Sequence, residues 1–180
     1  MALPILTERL EIRVFEPTDL HALHAVYGDP EVTRWMPPYS TIEHTRRALE
    51  KHVAAGRAGG PALWAVVERS SDQLIGDAGL APLDGVGPEV ELGYTLGRRW
   101  WGLGYATEAA RACLAEALGP LRLKRVVAVV RPENSASIHV LEKLGMTREG
   151  TRFAHGARHL LYATTSVGAG TAAGSSERSR

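Results

Sequence analysis

A single cysteine in 180 residues, Cys113, excludes an internal disulfide and any CxxC metal or redox site. A dominant charge is also missing. The 21 basic and 20 acidic side chains leave a formal +1 with no basic stripe, so no nucleic-acid partner is expected. No stretch approaches the roughly 20 apolar residues of a membrane span. Glu8, Arg9 and Glu11 interrupt any apolar signal-peptide segment. The expectation is a cytoplasmic protein without a membrane partner. The Gly-Lys-Ser/Thr triplet of a P-loop is absent, and no internal repeat is visible. The pairs His21/His24 and His155/His159 lack a third ligand at any recognisable spacing, so no metal is expected.

With 44% hydrophobic residues the chain is long enough for one buried core and short for two. One domain is expected over residues 1–165. The tail 166–180, poor in large apolar groups, is expected to be disordered.

The pattern predicts a first strand at Leu10–Val14, then a helix capped by Thr18 or Asp19 and running to Gly28. Ser40-Thr-Ile-Glu43 reads as a capping box that opens a helix at Thr41. Three strands are expected at Leu63–Glu68, Gln73–Leu80 and Glu89–Leu96. Helical spacing runs from Thr107 to Leu118, where Gly119-Pro120 stops it. Val126–Val130 is a continuous apolar run, expected to be a strand buried on both faces. A short helix Ser135–Leu144 and strands Thr147–Phe153 and Arg158–Ala163 complete the order. The fold class is α/β (α+β): a mixed, mostly antiparallel central sheet of about seven strands with helices on both faces.

The segment Arg99-Trp-Trp-Gly102-Leu-Gly104-Tyr-Ala-Thr107 joins a strand end to a helix start, where backbone N–H groups lack helical partners. Glycines there let the backbone approach a phosphate, and the helix end adds about half a positive charge. Arg98 and Arg99 add more, so a pyrophosphate-bearing ligand fits. A dinucleotide site would need a third glycine where Thr107 stands and an acid at the end of the next strand, where Arg131 stands.

Arg-x-x-Gly-x-Gly between strand and helix resembles the acyl-CoA pyrophosphate loop of the GNAT superfamily. Further segments agree in order: Glu89-Val-Glu-Leu-Gly-Tyr-Thr-Leu96, Thr107-Glu-Ala-Ala110, Asn134-Ser-Ala-Ser137 and Val140-Leu-Glu-Lys-Leu-Gly-Met146. Thr7-Glu-Arg-Leu10 with Ile75-Gly76 is similar to the Rim-type branch that acetylates ribosomal-protein N-termini. The resemblance spans Thr7 to Ala163. It implies a GNAT-like fold and an acetyl-CoA-dependent N-acetyltransferase with direct transfer in a ternary complex. The leading acceptor is a protein N-terminal α-amine, with a small-molecule amine as the alternative. A non-catalytic acyl-CoA-binding module is a reading from a different class.

The resemblance also implies that strand Glu89–Leu96 splays from the strand at Val126, leaving a slot for the pantetheine arm of acetyl-CoA. Main-chain groups of Tyr94, Thr95 and Leu96 would pair with that arm, and Asn134 would touch it from the other side. Arg99, Gly102, Leu103, Gly104, Tyr105, Ala106 and Thr107 would hold the pyrophosphate. Homodimers are common in the resembled branch, so a homodimeric partner is allowed.

Amine attack on a thioester needs a neutral amine and a proton for the leaving thiolate. Glu91 is the candidate base, on the strand leading to the thioester, with His155 and His159 as alternatives. Glu89 and Glu91 share a strand face, and two such acids are often only a solvated surface. Many superfamily members place a tyrosine where Leu141 stands, so Ser137 is the candidate donor to the thiolate. Trp35, Met36 and Tyr39 are expected to wall the acceptor. Cys113 sits on an apolar helix stripe and is expected to pack.

Overall fold

The computed structural model describes residues 3–36, 41–85 and 87–165. Its sheet has eight strands: β1 (Ile5–Leu6), β2 (Leu10–Arg13), β3 (Leu63–Glu68), β4 (Gln73–Pro82), β5 (Val90–Leu96), β6 (Arg125–Val130), β7 (Thr147–Ala154) and β8 (Ala157–Thr165). The spatial order is β1-β2-β3-β4-β5-β6-β8-β7. Every pairing is antiparallel except β5 with β6. Four α-helices are α1 (Leu20–Tyr27), α2 (Ile42–Arg57), α3 (Tyr105–Leu118) and α4 (Ser135–Lys143). The extra strand beyond the expected seven is β1, two residues too short to show a period.

The apolar patterns divide the core between the two faces of the sheet. Leu23, Val26, Tyr27, Leu49 and Val53 of α1 and α2 pack with Ala65 and Leu74 on one side. On the other, Ala109, Ala110, Cys113, Leu114 and Ala117 of α3 bury against Trp64, Val66, Leu80, Leu92 and Val126. Burying a large aliphatic side chain contributes about 1.5–3 kcal/mol, so each helix is fixed by its stripe more than by its intrinsic propensity.

Three helix starts differ from expectation. Asp19 does not cap α1 through its side chain. Its carboxylate forks with Arg13 at 2.8 Å on each oxygen and accepts the Glu16 N–H at 2.8 Å, and a two-bond fork with a guanidinium outcompetes a single cap bond to a backbone N–H. At α2 the cap is Thr41, whose Oγ1 accepts the His44 N–H at 3.3 Å. This moves Glu43 out of the box position, and it pairs with Arg46 at 3.3 Å instead; Ser40 lies outside the described residues. Helix α3 begins at Tyr105, two residues early, because glycine at 104 supplies the left-handed turn that starts it (φ +84°).

The sheet is closely built around Gly76, where an added Cβ would stand 2.0 Å from the Thr95 carbonyl oxygen. Any side chain there would push β4 from β5. Cys113 is fully buried, and its thiol pKa is pushed up to about 12, chiefly by that burial. It packs, and the thiolate that covalent chemistry would need is absent at neutral pH.

Candidate functional site

Strand β5 pairs along its whole length with β4, from Pro82↔Val90 to Gly76↔Leu96. With β6 it shares one registered position, Glu91↔Val127. Beyond Glu91 the two strands separate, and a cavity of about 730 Å³ opens at the split. Gly93, Tyr94 and Thr95 border it from β5, Ala128 to Val130 from β6, and Asn134 and Ser137 from α4. Trp35 and Met36 close it from the segment after α1, and His155 and His159 from the β7–β8 hairpin. Tyr39 lies outside the described residues.

Gly97 donates its N–H to the Ile75 carbonyl at 2.9 Å. Antiparallel pairing alternates sides, so the peptide groups of Gly93 and Thr95 turn to β4, and those of Tyr94 and Leu96 turn to the gap. The Leu96 carbonyl is taken by the Trp101 indole N–H at 2.7 Å. Of the three residues expected to offer main chain to an extended arm, Tyr94 keeps both groups free for it. Thr95 instead reaches the cavity with its side chain, its hydroxyl donating to the Met36 sulfur at 3.6 Å.

The glycine loop follows directly. Gly102 and Gly104 have φ of +74° and +84°. A Cβ on Gly102 would meet no protein atom within 4 Å; it would project into open space beside the helix start. The first helical bond of α3 runs from the Glu108 N–H to the Gly104 carbonyl, which leaves the amides of Tyr105, Ala106 and Thr107 ahead of the ladder. This cradle suits an anion such as the pyrophosphate of coenzyme A. The two arginines of the loop also have protein partners. Arg98 pairs with Asp29 at 3.2 Å, and Arg99 stacks over Trp100 at 4.3 Å with Gln73 at 3.4 Å.

Behind the loop stands Arg9, whose part was not deduced from the sequence. Its Nη1 donates to the Leu103 carbonyl at 2.9 Å and its Nε to Glu108 at 2.7 Å. Its guanidinium lies 4.2 Å from the Tyr105 ring centre. Glu108 also accepts from the Thr7 hydroxyl at 2.6 Å and the Arg9 N–H at 2.9 Å. Burial is the largest single influence on that carboxyl and pushes its pKa up, but the contacts together outweigh it and hold the group below the usual carboxylate range.

At the closed end of the split the structure unites two residues that the sequence kept as rivals. His155 Nε2 lies 2.9 Å from Glu91 Oε2, and His155 Nδ1 lies 3.4 Å from Asp84 Oδ1. Asp84 also accepts the His155 backbone N–H at 2.6 Å. The Glu91 hydrogen bond raises the His155 pKa above its ordinary 6.5 despite partial burial. Glu89 has a separate fate, in ion pairs with Arg152 and Arg125, so the two acids are not one solvated face. His159 is buried, and its Nδ1–H donates to the Ala157 carbonyl at 3.0 Å.

Across β5, Tyr94 and Ser137 meet. The Tyr94 hydroxyl is 2.8 Å from Ser137 Oγ and donates to the Ser137 carbonyl at 3.1 Å. Asn134 caps α4, its Oδ1 accepting the Ser137 N–H at 3.1 Å. Leu141 of the same helix is buried, and the phenol that meets Ser137 comes from β5. Burial pushes the Tyr94 pKa up to about 12, which keeps the hydroxyl neutral and able to donate at pH 7.

Residues 9–147 match the family described as the acetyltransferase (GNAT) domain. The chain belongs to the GNAT family. It is 33% identical over 146 residues to the uncharacterized N-acetyltransferase p20 of Bacillus licheniformis, covering 80% of this chain and 82% of that protein. The GNAT-family acetyltransferase from Bacillus anthracis superposes with a TM-score of 0.79 at 30% identity, covering 90% and 98% of the two chains. RimL, the ribosomal L7/L12 alpha-N-protein acetyltransferase in complex with coenzyme A, superposes with a TM-score of 0.73 at 17% identity over 90% and 97%, a likeness of fold. The chain is thus an acetyl-CoA-dependent N-acetyltransferase. Among the described residues no group of three or more His, Cys, Asp or Glu could hold a metal, and no helix is long and apolar enough to cross a membrane.

Proposed function

We propose that the chain transfers acetyl directly from acetyl-CoA to a primary amine in a ternary complex, the acceptor being a protein N-terminal α-amine. The observation that carries this reading is the pairing of Glu91 with His155 on one side of β5 and of Tyr94 with Ser137 on the other.

The ammonium form of the acceptor must first lose a proton. For an α-amine of pKa near 8 this costs about 1 kcal/mol at pH 7, against about 4.6 for a lysine near 10.4. Glu91 receives that proton, directly or through one water, and His155 orients the carboxylate. The amine nitrogen attacks the thioester carbon, the new C–N bond forms, and the C–S bond breaks. The sulfur leaves as thiolate, hydrogen-bonded by the hydroxyls of Tyr94 and Ser137, and takes up the second proton that the nitrogen sheds as the amide forms. Positioning contributes on the order of 7 kcal/mol or more in such reactions. The loop at Gly102 to Thr107 and the free peptide groups of Tyr94 are the parts that hold the acetyl-CoA.

A small-molecule amine is the second reading, favoured by a carboxyl at the cavity's edge, Asp77, with one oxygen unpartnered. The test is thiol release from acetyl-CoA with a panel of peptides and small amines. Release with peptide acceptors, lost in Glu91→Gln with coenzyme A binding retained, is the expected result. Binding of coenzyme A with no release for any amine would replace the enzyme reading by that of a non-catalytic acyl-CoA-binding module.

A further inference from the structure

Asp77 lies in the middle of β4 and is entirely screened from solvent. Its Oδ2 accepts the Tyr27 hydroxyl at 2.8 Å, while its Oδ1 has no partner among the described residues. Folded proteins rarely leave a buried carboxyl oxygen unsatisfied, because the group loses water and gains nothing in return. Asp77 lines the same cavity as Glu91.

The register sets the two acids apart. Ala81 faces Glu91 and Asp77 faces Thr95 across the β4–β5 pair, so one face of the pair carries Glu91 at one end and Asp77 with Thr95 at the other. Gly93, between them, has no side chain. Four residues of strand separate the ends by roughly 13 Å. With the Thr95 proton given to the Met36 sulfur, a carboxyl oxygen of Asp77 and the Thr95 hydroxyl oxygen keep acceptor capacity at this end. Once Asp77 is ionised a guest at this end must donate, and a charged nitrogen donor makes the strongest bond to a carboxylate.

Resting on the reading that the chain acetylates an amine at the Glu91 end, we propose that Asp77 is a specificity residue that receives a second ammonium of the acceptor. The preferred substrates then carry two cationic nitrogens spaced along this face. That ammonium belongs either to a free polyamine or to a basic side chain of a peptide acceptor.

The experiment measures kcat/KM in two arms. One compares α,ω-diamines with n-alkylamines of equal length, and the other compares peptides bearing lysine with the same peptides bearing norleucine. The wild type is expected to favour the doubly cationic member at least about tenfold in one arm, which names the source. In Asp77→Asn that ratio is expected to fall toward unity. No preference in either arm, or a preference that survives in Asp77→Asn, overturns the proposal.

Calorimetry on the coenzyme A complex separates this outcome from a failure of catalysis. Binding of the diamine or lysine peptide that is at least tenfold weaker in Asp77→Asn supports the subsite even where no thiol is released. Equal binding by the two proteins, or no binding by the wild type, overturns it. Should Asp77→Asn fail to fold, the wild-type ratios alone decide, and a ratio of one in both arms is again the overturning result.

Discussion

The His155 imidazole sits between two carboxylates, Glu91 of β5 at 2.9 Å and Asp84 of the loop that joins β4 to β5 at 3.4 Å. Asp84 occupies a short 3-10 turn with a left-handed backbone (φ +56°), and His155 is likewise left-handed (φ +48°) in the turn between β7 and β8. Two strained turns thus aim one ring at one carboxylate, an arrangement that costs backbone energy and is retained at sites of function.

Glu91→Gln removes the proton acceptor. We expect kcat with an α-amine acceptor to fall about 10- to 100-fold at pH 7. The deficit should shrink as pH rises past 8, where the amine deprotonates unaided. A pH–rate profile of both proteins checks this; a deficit constant from pH 6 to 9.5 would assign Glu91 to binding.

His155 has its folded pKa raised by Glu91, so its contribution to stability is complete below the ordinary 6.5 and is lost as pH rises through the folded value. The gap in Tm between the wild type and His155→Gln is therefore expected to be widest near pH 5.5 and to close by pH 9. Both side chains of the pair retain some exposure, so the shift should be a few degrees or less.

Tyr94→Phe and Ser137→Ala act on one hydrogen-bonded pair. Each is expected to lower kcat roughly tenfold or more, with the double variant close to the worse single. Strict additivity in the double-mutant cycle would mean that the two hydroxyls act on different steps.

Gly102→Val fills the open space beside the start of α3. Saturating acetyl-CoA at 100 times its dissociation constant stabilises a protein by about 2.7 kcal/mol. Thermal unfolding should show that shift for the wild type and little of it for the variant. An equal shift in both would move the pyrophosphate elsewhere.

Burial lifts the Asp77 pKa from 3.8 to about 7, against a lowering by the Tyr27 hydroxyl. The folded state therefore holds its proton more tightly than the unfolded chain, and stability declines between about pH 4 and pH 7 by up to roughly 4 kcal/mol. Asp77→Asn cannot ionise. Its Tm relative to the wild type should rise from pH 4.5 to 7 and then level off.

Element type and order were legible because they follow from local periods. β3 has the expected bounds, and β5, β6 and α4 lie within a residue of theirs. The glycine loop was legible for a similar reason, since a strand end, two glycines and a helix start make an anion cradle whatever surrounds them. Caps were less so, because Asp19 chose Arg13, a partner six residues away on β2, over its own helix. Asp77 left a signal that passed unused, a lone acid within the apolar run Leu74-Ile-Gly-Asp-Ala-Gly-Leu80.

By itself the sequence determined which segments are helix and strand, the glycine turn ahead of α3 and the kinship with GNAT acetyltransferases, all properties of residues close along the chain. Tertiary structure alone decided that Glu91 and His155 are partners, that the Tyr94 hydroxyl meets Ser137, and that Asp77 is left with an unmet oxygen. Those facts depend on strand register and on where β5 parts from β6, which are set by packing the whole sheet between its helices and shift every cross-strand neighbour with a slip of one residue.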